Sequence, residues 1–213
     1  MLQQCVSMVL RHRMFSAHSQ RKFSSPPTCM CGLLVCLHDH CPAMNATDAN
    51  FNASGVGESA LSLAPYQGSS IESIDIMLSM SSPSPGFNLL DLGCGDGRLL
   101  IRAITHWGAA TAEGWEFSKP IKALADAHVQ AALPNDAAKQ KCRVVLGDAA
   151  KADWRGKDVV TLFLLPRGLM VLRPRIEQEL AQRNKGFPLA VVSNGWPIPG
   201  LVPKEERVSS GGS

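Results

Sequence analysis

Two acids and three alternating glycines stand in one short string, Asp91-Leu92-Gly93-Cys94-Gly95-Asp96-Gly97, and two more acids, Glu116 and Asp148, follow it along the chain. Glycines at this spacing let a turn bring main-chain atoms against a ligand with no side chain in between. A dinucleotide site would need G-x-G-x-x-G, with the third glycine admitting close helix packing and the helix start facing a pyrophosphate. Arg98 stands where that third glycine should be, so the string is not that fingerprint. Glu116 lies about 20 residues beyond the glycines, where an acid accepts ribose hydroxyls, and a carboxylate can take two hydroxyl hydrogens at once. The combination points to a nucleotide-type cofactor. Asp148 follows Gly147 in a loop, where the ordinary use of an aspartate is to cap its own turn.

These acids must be carried by strand ends, and the patterning supplies them. From Ser69 onward helical and strand patterns alternate, as in an α/β protein with a parallel sheet. Ser69 with Glu72 forms a candidate capping box for a helix through Ile71, Ile74, Ile76, Met77 and Met80. Residues 87–92 read as a first strand, and after the glycine string a helix spans 98–106. A second strand over 110–115 ends at Glu116, and a helix covers 120–133 with His128 on its surface or core edge. Residues 143–146 form a third strand ahead of Gly147-Asp148-Ala149. Residues 158–165 form a fourth, apolar as befits a strand buried on both faces, and 189–193 a fifth.

The chain has 213 residues, 45% hydrophobic and 18% charged, which suits one domain plus a tail. Four of its 21 bases, Arg11, Arg13, Arg21 and Lys22, precede the first acid, Asp39, leaving 17 bases against 18 acids. A near-neutral body without a basic stripe argues against a nucleic-acid partner. Residues 1–28 hold no acid and combine Arg, Ser and apolar residues, the composition of an organelle-targeting peptide; a bland disordered tail is the alternative. Arg11, His12 and Arg13 interrupt the apolar run, which disfavours a secretory signal, and no stretch reaches the ~18–20 apolar residues that span a bilayer. Cys29, Cys31, Cys36, His38, His40 and Cys41 offer zinc-ligand chemistry, yet their spacing lacks paired Cys-x-x-Cys knuckles, so no metal site is assigned. Residues 1–60 are thus expected to be leader and linker, largely disordered, 61–200 the cofactor-binding domain, and 201–213 a disordered tail.

The form acid-x-G-x-G-x-G resembles that of class I S-adenosylmethionine methyltransferases, and two Arg-x-Phe-Ser strings at 13–16 and 21–24 resemble mitochondrial presequence cleavage sites. The string Asp158-Val159-Val160-Thr161-Leu162-Phe163-Leu164-Leu165-Pro166, with Leu172-Arg173-Pro174-Arg175, Gly195-Trp196-Pro197-Ile198-Pro199 and Ala64-Pro65-Tyr66, narrows the likeness. It is similar to the mitochondrial lysine methyltransferases that modify the adenine nucleotide translocase and the ATP synthase c subunit. The resemblance implies a mostly parallel Rossmann-like sheet and S-adenosyl-L-methionine as cofactor. It implies Asp91 at the cofactor's ammonium, Gly93, Gly95 and Gly97 against its backbone-facing side, Glu116 at the ribose, and Asp148, beside Ala149, at the adenine amino group. The substrate it implies is a protein lysine, on a membrane carrier or ATP synthase subunit of the mitochondrial inner membrane; the apolar run from Cys29 to Leu37 is too short to span a bilayer, so any membrane association is expected to be partial or peripheral. Two rival readings stay open, a small-molecule or RNA methyltransferase and a non-catalytic binding module.

Methyl transfer to an amine mainly requires alignment and exclusion of water, and burial in an apolar channel favours the neutral amine that attacks. Tyr66, Leu165, Pro166 and Trp196 are the acceptor-channel candidates, with packing roles as the alternative for Tyr66 and Trp196; no general base is nominated. Beyond the fifth strand a short polar tail follows, so the sheet is expected to lack the last two of its usual seven strands, leaving an edge open to a partner.

Overall fold

The computed structural model describes residues 6–11, 68–183 and 189–208. Its elements in chain order are β1 (Val6–Arg11), α1 (Ile71–Ser81), β2 (Asn88–Leu92), α2 (Arg98–His106), β3 (Thr111–Glu116), α3 (Lys119–Ala132), α4 (Asp136–Gln140), β4 (Cys142–Leu146), β5 (Val159–Leu162), α5 (Pro166–Gln182), β6 (Ala190–Asn194) and β7 (Glu205–Val208). They build one seven-stranded sheet of order β4-β3-β2-β5-β6-β1-β7. The five strands from β4 to β6 run parallel, whereas β1 is antiparallel to both β6 and β7.

The central strands are apolar on consecutive residues because both faces are covered. Leu89, Val159 and Val192 enter a core with Ile74, Met77 and Leu78 of α1 and Leu99, Leu100 and Ala103 of α2. Their neighbours Leu90, Val160 and Val191 enter a second core with Leu169, Leu172 and Ile176 of α5 and the fully buried Trp154. Successive strand residues point to opposite faces, so an unbroken apolar run is what a strand between two helical layers needs. Strand β3 approaches the glycine string so closely that a Cβ at Gly114 would lie 2.5 Å from Cys94 Cβ and 2.7 Å from Leu100 Cδ1.

The parallel α/β sheet expected from the sequence is present, and several details are corrected. The sheet does not end at its fifth strand. Residues 6–11, expected in a disordered leader, form β1 with Val9 buried, and residues 205–208, expected in a disordered tail, form β7. The patterning hides both, since β1 sits in an acid-free, arginine-containing segment and Glu205-Glu206-Arg207-Val208 is exposed along its length apart from the half-buried Glu205. With β1 and β7 beyond β6, the open edge invoked for a non-catalytic pairing module is filled. The N-cap of α1 is Ser70, whose hydroxyl accepts from the Ser73 amide, not the Ser69 box. Strand β5 stops at Leu162, and a seventeen-residue helix, α5, begins at Pro166. Proline at the first helical position costs nothing, because its missing N–H would have had no intrahelical partner there.

Among the described residues no helix is long and apolar enough to cross a membrane. The Cys29–Cys41 cluster and Tyr66 lie outside the described residues.

Candidate functional site

The glycine turn leaves the carboxyl end of β2 and is held by main-chain bonds. The amides of Gly93 and Cys94 both donate to the Trp115 carbonyl, at 2.9 and 3.0 Å, and Gly97 N–H donates to the Cys94 carbonyl at 3.0 Å. Gly93, Gly95 and Gly97 adopt φ of 83°, 55° and 79°, left-handed values that other residues reach only with strain. Gly97 then serves as the N-cap of α2. A Cβ on Gly93 would sit 3.2 Å from Leu164 Cδ2, so the segment after β5 lies directly against the turn.

Two buried carboxylates bracket this turn. Asp91, on β2, is opposite Thr161 of β5 and Gly114 of β3, and its Oδ1 accepts from the Thr161 hydroxyl at 2.8 Å. Burial pushes its pKa up to about 7; the Thr161 bond opposes that rise and the nearby Glu116 charge adds to it. Among the described residues no cation pairs with Asp91. Asp96 is equally buried but is paired with Arg98. Arg98 Nη2 and Nε reach its carboxylate at 2.6 to 3.0 Å, and His128 Nδ1 lies 3.1 Å from its carbonyl oxygen. A buried carboxylate facing a glycine cradle without a positive partner is suited to a ligand's ammonium group.

Glu116 ends β3, and both of its oxygens already have amide donors: Gly95 N–H at 3.1 Å on Oε2 and Ser118 N–H at 2.8 Å on Oε1. Each oxygen keeps a second lone pair for a hydroxyl. Glu116 therefore also rivets the glycine turn to β3, a link that spacing alone does not disclose. Asp148 caps the short 3-10 turn Ala149–Lys151 by accepting from Ala150 N–H at 2.9 Å, the local role open to it from the sequence, and Ala149 is buried beside it.

Asp91, the three glycines, Glu116, Asp148 and Ala149 thus lie together at the carboxyl ends of β2, β3 and β4, where open parallel sheets bind ligands. The acceptor candidates divide. Leu165 is the exposed N-cap of α5 and Pro166 its first residue, while Leu164, buried, is the one that meets Gly93. Trp196 packs at the edge of the core that holds α5, and its carbonyl accepts from the Ser193 hydroxyl at 2.7 Å. Thr161, Asp96, Arg98 and Asn194 are site residues that the sequence reading passed over. The first is one apolar-looking position in an apolar strand; Asp96 and Arg98 were legible only as spacers of the glycine motif.

A family model described as the ANTKMT methyltransferase domain matches residues 91–205. A protein-lysine N-methyltransferase of Saccharolobus islandicus is 31% identical over 144 residues, spanning 66% of this chain and 82% of its own length. Among solved structures the chain is similar to an RNA methyltransferase from Salinibacter ruber in complex with S-adenosyl-L-homocysteine, at 25% identity and a TM-score of 0.48 over 65% of this chain and 98% of that one. It is also similar to an S-adenosylmethionine-dependent methyltransferase from Geobacter sulfurreducens, at 22% identity and a TM-score of 0.43 over 53% and 43% of the two chains.

Proposed function

We propose that this chain, which belongs to the ANTKMT methyltransferase family, transfers a methyl group to the side-chain amine of a lysine in a mitochondrial inner-membrane protein. As a family member it is an S-adenosylmethionine-dependent methyltransferase of class I. The residues fit that cofactor: Asp91 would hold the ammonium, Glu116 the ribose hydroxyls, Asp148 the adenine amino group, with Ala149 flanking it and Gly93, Gly95 and Gly97 clearing the approach. When bound, the cofactor supplies a methyl group activated by its sulfonium.

The chain's own residues do the rest by placement. Leu164 against Gly93 is the observation that carries the reading, because it puts an apolar wall beside the cofactor cradle. An apolar wall disfavours an ammonium and so favours the neutral amine, the form with a lone pair. Leu165, Pro166 and Trp196 extend the non-polar surroundings around the strand ends. Alignment and water exclusion suffice for an in-line displacement in which the N–CH3 bond would form as the S–CH3 bond breaks, leaving a neutral thioether; the lysine ammonium gives its proton to solvent before attack.

A lysine acceptor is supported by the activity named for the archaeal relative. The mitochondrial address is supported by the acid-free residues 1–28, and a membrane carrier or ATP synthase subunit by the resemblance of the 158–166 and 195–199 strings. A leader whose residues 6–11 also form an inner strand has to remain attached for the sheet to keep that strand. Incubating the full chain with methyl-labelled cofactor and mitochondrial membranes, then mapping the label by mass spectrometry, tests the proposal. Label on a lysine of an inner-membrane protein is the expected result; label confined to RNA or metabolites overturns it.

A further inference from the structure

Arg98 does more than pair with Asp96. Its Nη1 donates to the Ser69 carbonyl at 3.1 Å, so one guanidinium joins the start of α2 to the residues leading into α1. Gly68 lies flat against that guanidinium, since a Cβ there would come within 2.8 to 2.9 Å of its carbon and both terminal nitrogens. On its other side the Ser69 hydroxyl accepts from Asn194 Nδ2 at 3.3 Å, and Asn194 is the wholly buried last residue of β6. Ser69 is therefore tied through its carbonyl to Arg98 after the glycine turn and through its hydroxyl to the carboxyl end of β6. Strand β5 lies between those two strands.

The cofactor-facing groups are divided across this line. Glu116 and Asp148 stand at the β3 and β4 ends, the side assigned to ribose and adenine, whereas residues 68–70 flank the β5 side with Asp91, Thr161 and Leu164. We propose that Arg98, anchored on Asp96 and assisted by Asn194, is a positioning residue that holds residues 68–70 as the wall of the amino-acid half of the cofactor site. The fork geometry matters: an arginine can chelate a carboxylate and still offer a third donor to a carbonyl, which a lysine cannot do in one fixed arrangement. This explains in physical terms why arginine, and no small residue, follows Gly97. The proposal rests on Glu116 marking the ribose side.

The test compares two ligands on the full chain by calorimetry: S-adenosylmethionine, and 5′-methylthioadenosine, which lacks the amino-acid portion. Gly68→Ala pushes a methyl group into the guanidinium without removing either partner of the Asp96–Arg98 pair, and Arg98→Lys keeps a positive charge beside Asp96 while removing the third donor. Each is expected to weaken S-adenosylmethionine binding about five- to tenfold and to leave methylthioadenosine within about twofold. Glu116→Ala, the reference for the other half, is expected to weaken both ligands together. Equal losses for the two ligands in Gly68→Ala and Arg98→Lys, or no loss for either, overturn the proposal. If the unaltered chain binds methylthioadenosine and Glu116→Ala does not weaken it, the division of the site itself fails, a distinct result.

Discussion

The two ends of the sheet are built on different terms. From β4 to β6 the strands are parallel, and the inner three, β2, β5 and β6, are apolar on successive residues and clamped between helices. The carboxyl ends of β2, β3 and β6 carry Asp91 with the glycine turn, Glu116 and Asn194. Beyond β6 the pairing reverses: β1 is antiparallel to both neighbours, and β7, mostly exposed, carries three charged residues out of four. The first region positions chemistry; the second covers the edge of β6 and holds no residue of the site. Edge strands are commonly short and charged, features that discourage pairing with other chains, and β7 has both. The difference teaches that binding and stability should respond separately to damage at the two ends.

Removing residues 1–12 is the strongest test of that separation. It deletes a strand lying between β6 and β7, uncovers the backbone of β6 and removes the buried Val9. The expected loss is about 2–4 kcal/mol of unfolding free energy, read from denaturant curves, with cofactor affinity kept within about threefold once the protein is folded. An unchanged midpoint would deny β1 its structural part. Glu116→Ala should invert the pattern. If Glu116 holds the ribose, its loss is expected to weaken S-adenosylmethionine binding by about 2–3 kcal/mol, while release of the buried Gly95 amide and the half-buried Ser118 amide costs about 1–2 kcal/mol of stability. Calorimetry beside thermal melting reads both; a large fall in melting temperature with little change in affinity would make Glu116 a rivet and nothing more.

The same contrast explains what could be read from the residues alone. That Asp91, the three glycines and Glu116 come together at the strand ends was legible because a glycine turn between a strand and a helix constrains residue type at several positions. Strands β2, β5 and β6 were legible because burial on both faces leaves apolar residues at successive positions, Leu89-Leu90, Val159-Val160 and Val191-Val192. Strand β7 was not, since nothing buries Glu205-Glu206-Arg207-Val208 deeply enough to impose alternation, and β1 was masked by arginines that also suit a targeting peptide. Helix α5 was not expected from the sequence, in which its residues served only as resemblance strings; Pro166 is its first residue, and Pro174 is an exposed interior proline. Links such as Glu116 to Gly95, or Arg98 to Ser69, join residues 21 and 29 positions apart and need the folded geometry to be seen.

Asp91 gives a smaller and more specific effect at the site end. Its pKa is raised to about 7 from 3.8, so the folded chain retains a proton that the unfolded chain has lost between those values. Stability from this group is therefore fully present below pH 3.8 and is lost as pH rises through about 7. Ligand binding runs the other way, because an ammonium group requires the carboxylate. Affinity for S-adenosylmethionine is expected to rise between pH 5.5 and 7, by up to about tenfold per unit at the acid end. Asp91→Asn should flatten that slope and bind weakly throughout. A slope that survives the substitution would assign the titration to another group.

At the far edge, Arg207→Ala removes an exposed pair with Glu205 and a bond to the Ser79 hydroxyl on α1. Both partners of the ion pair are close to half exposed, where water screens the charges and the side chains surrender rotamer freedom to meet. The expected change is under about 0.5 kcal/mol in unfolding free energy, with no change in cofactor affinity. A loss several times larger would mean that β7 is fastened through Arg207 to α1 and that the outer edge contributes to the core more than its exposure suggests. A shift in affinity would break the division between the two ends of the sheet, since it would show Arg207 coupled to the site, through Ser79 and α1 or through β1 and β6 to Asn194.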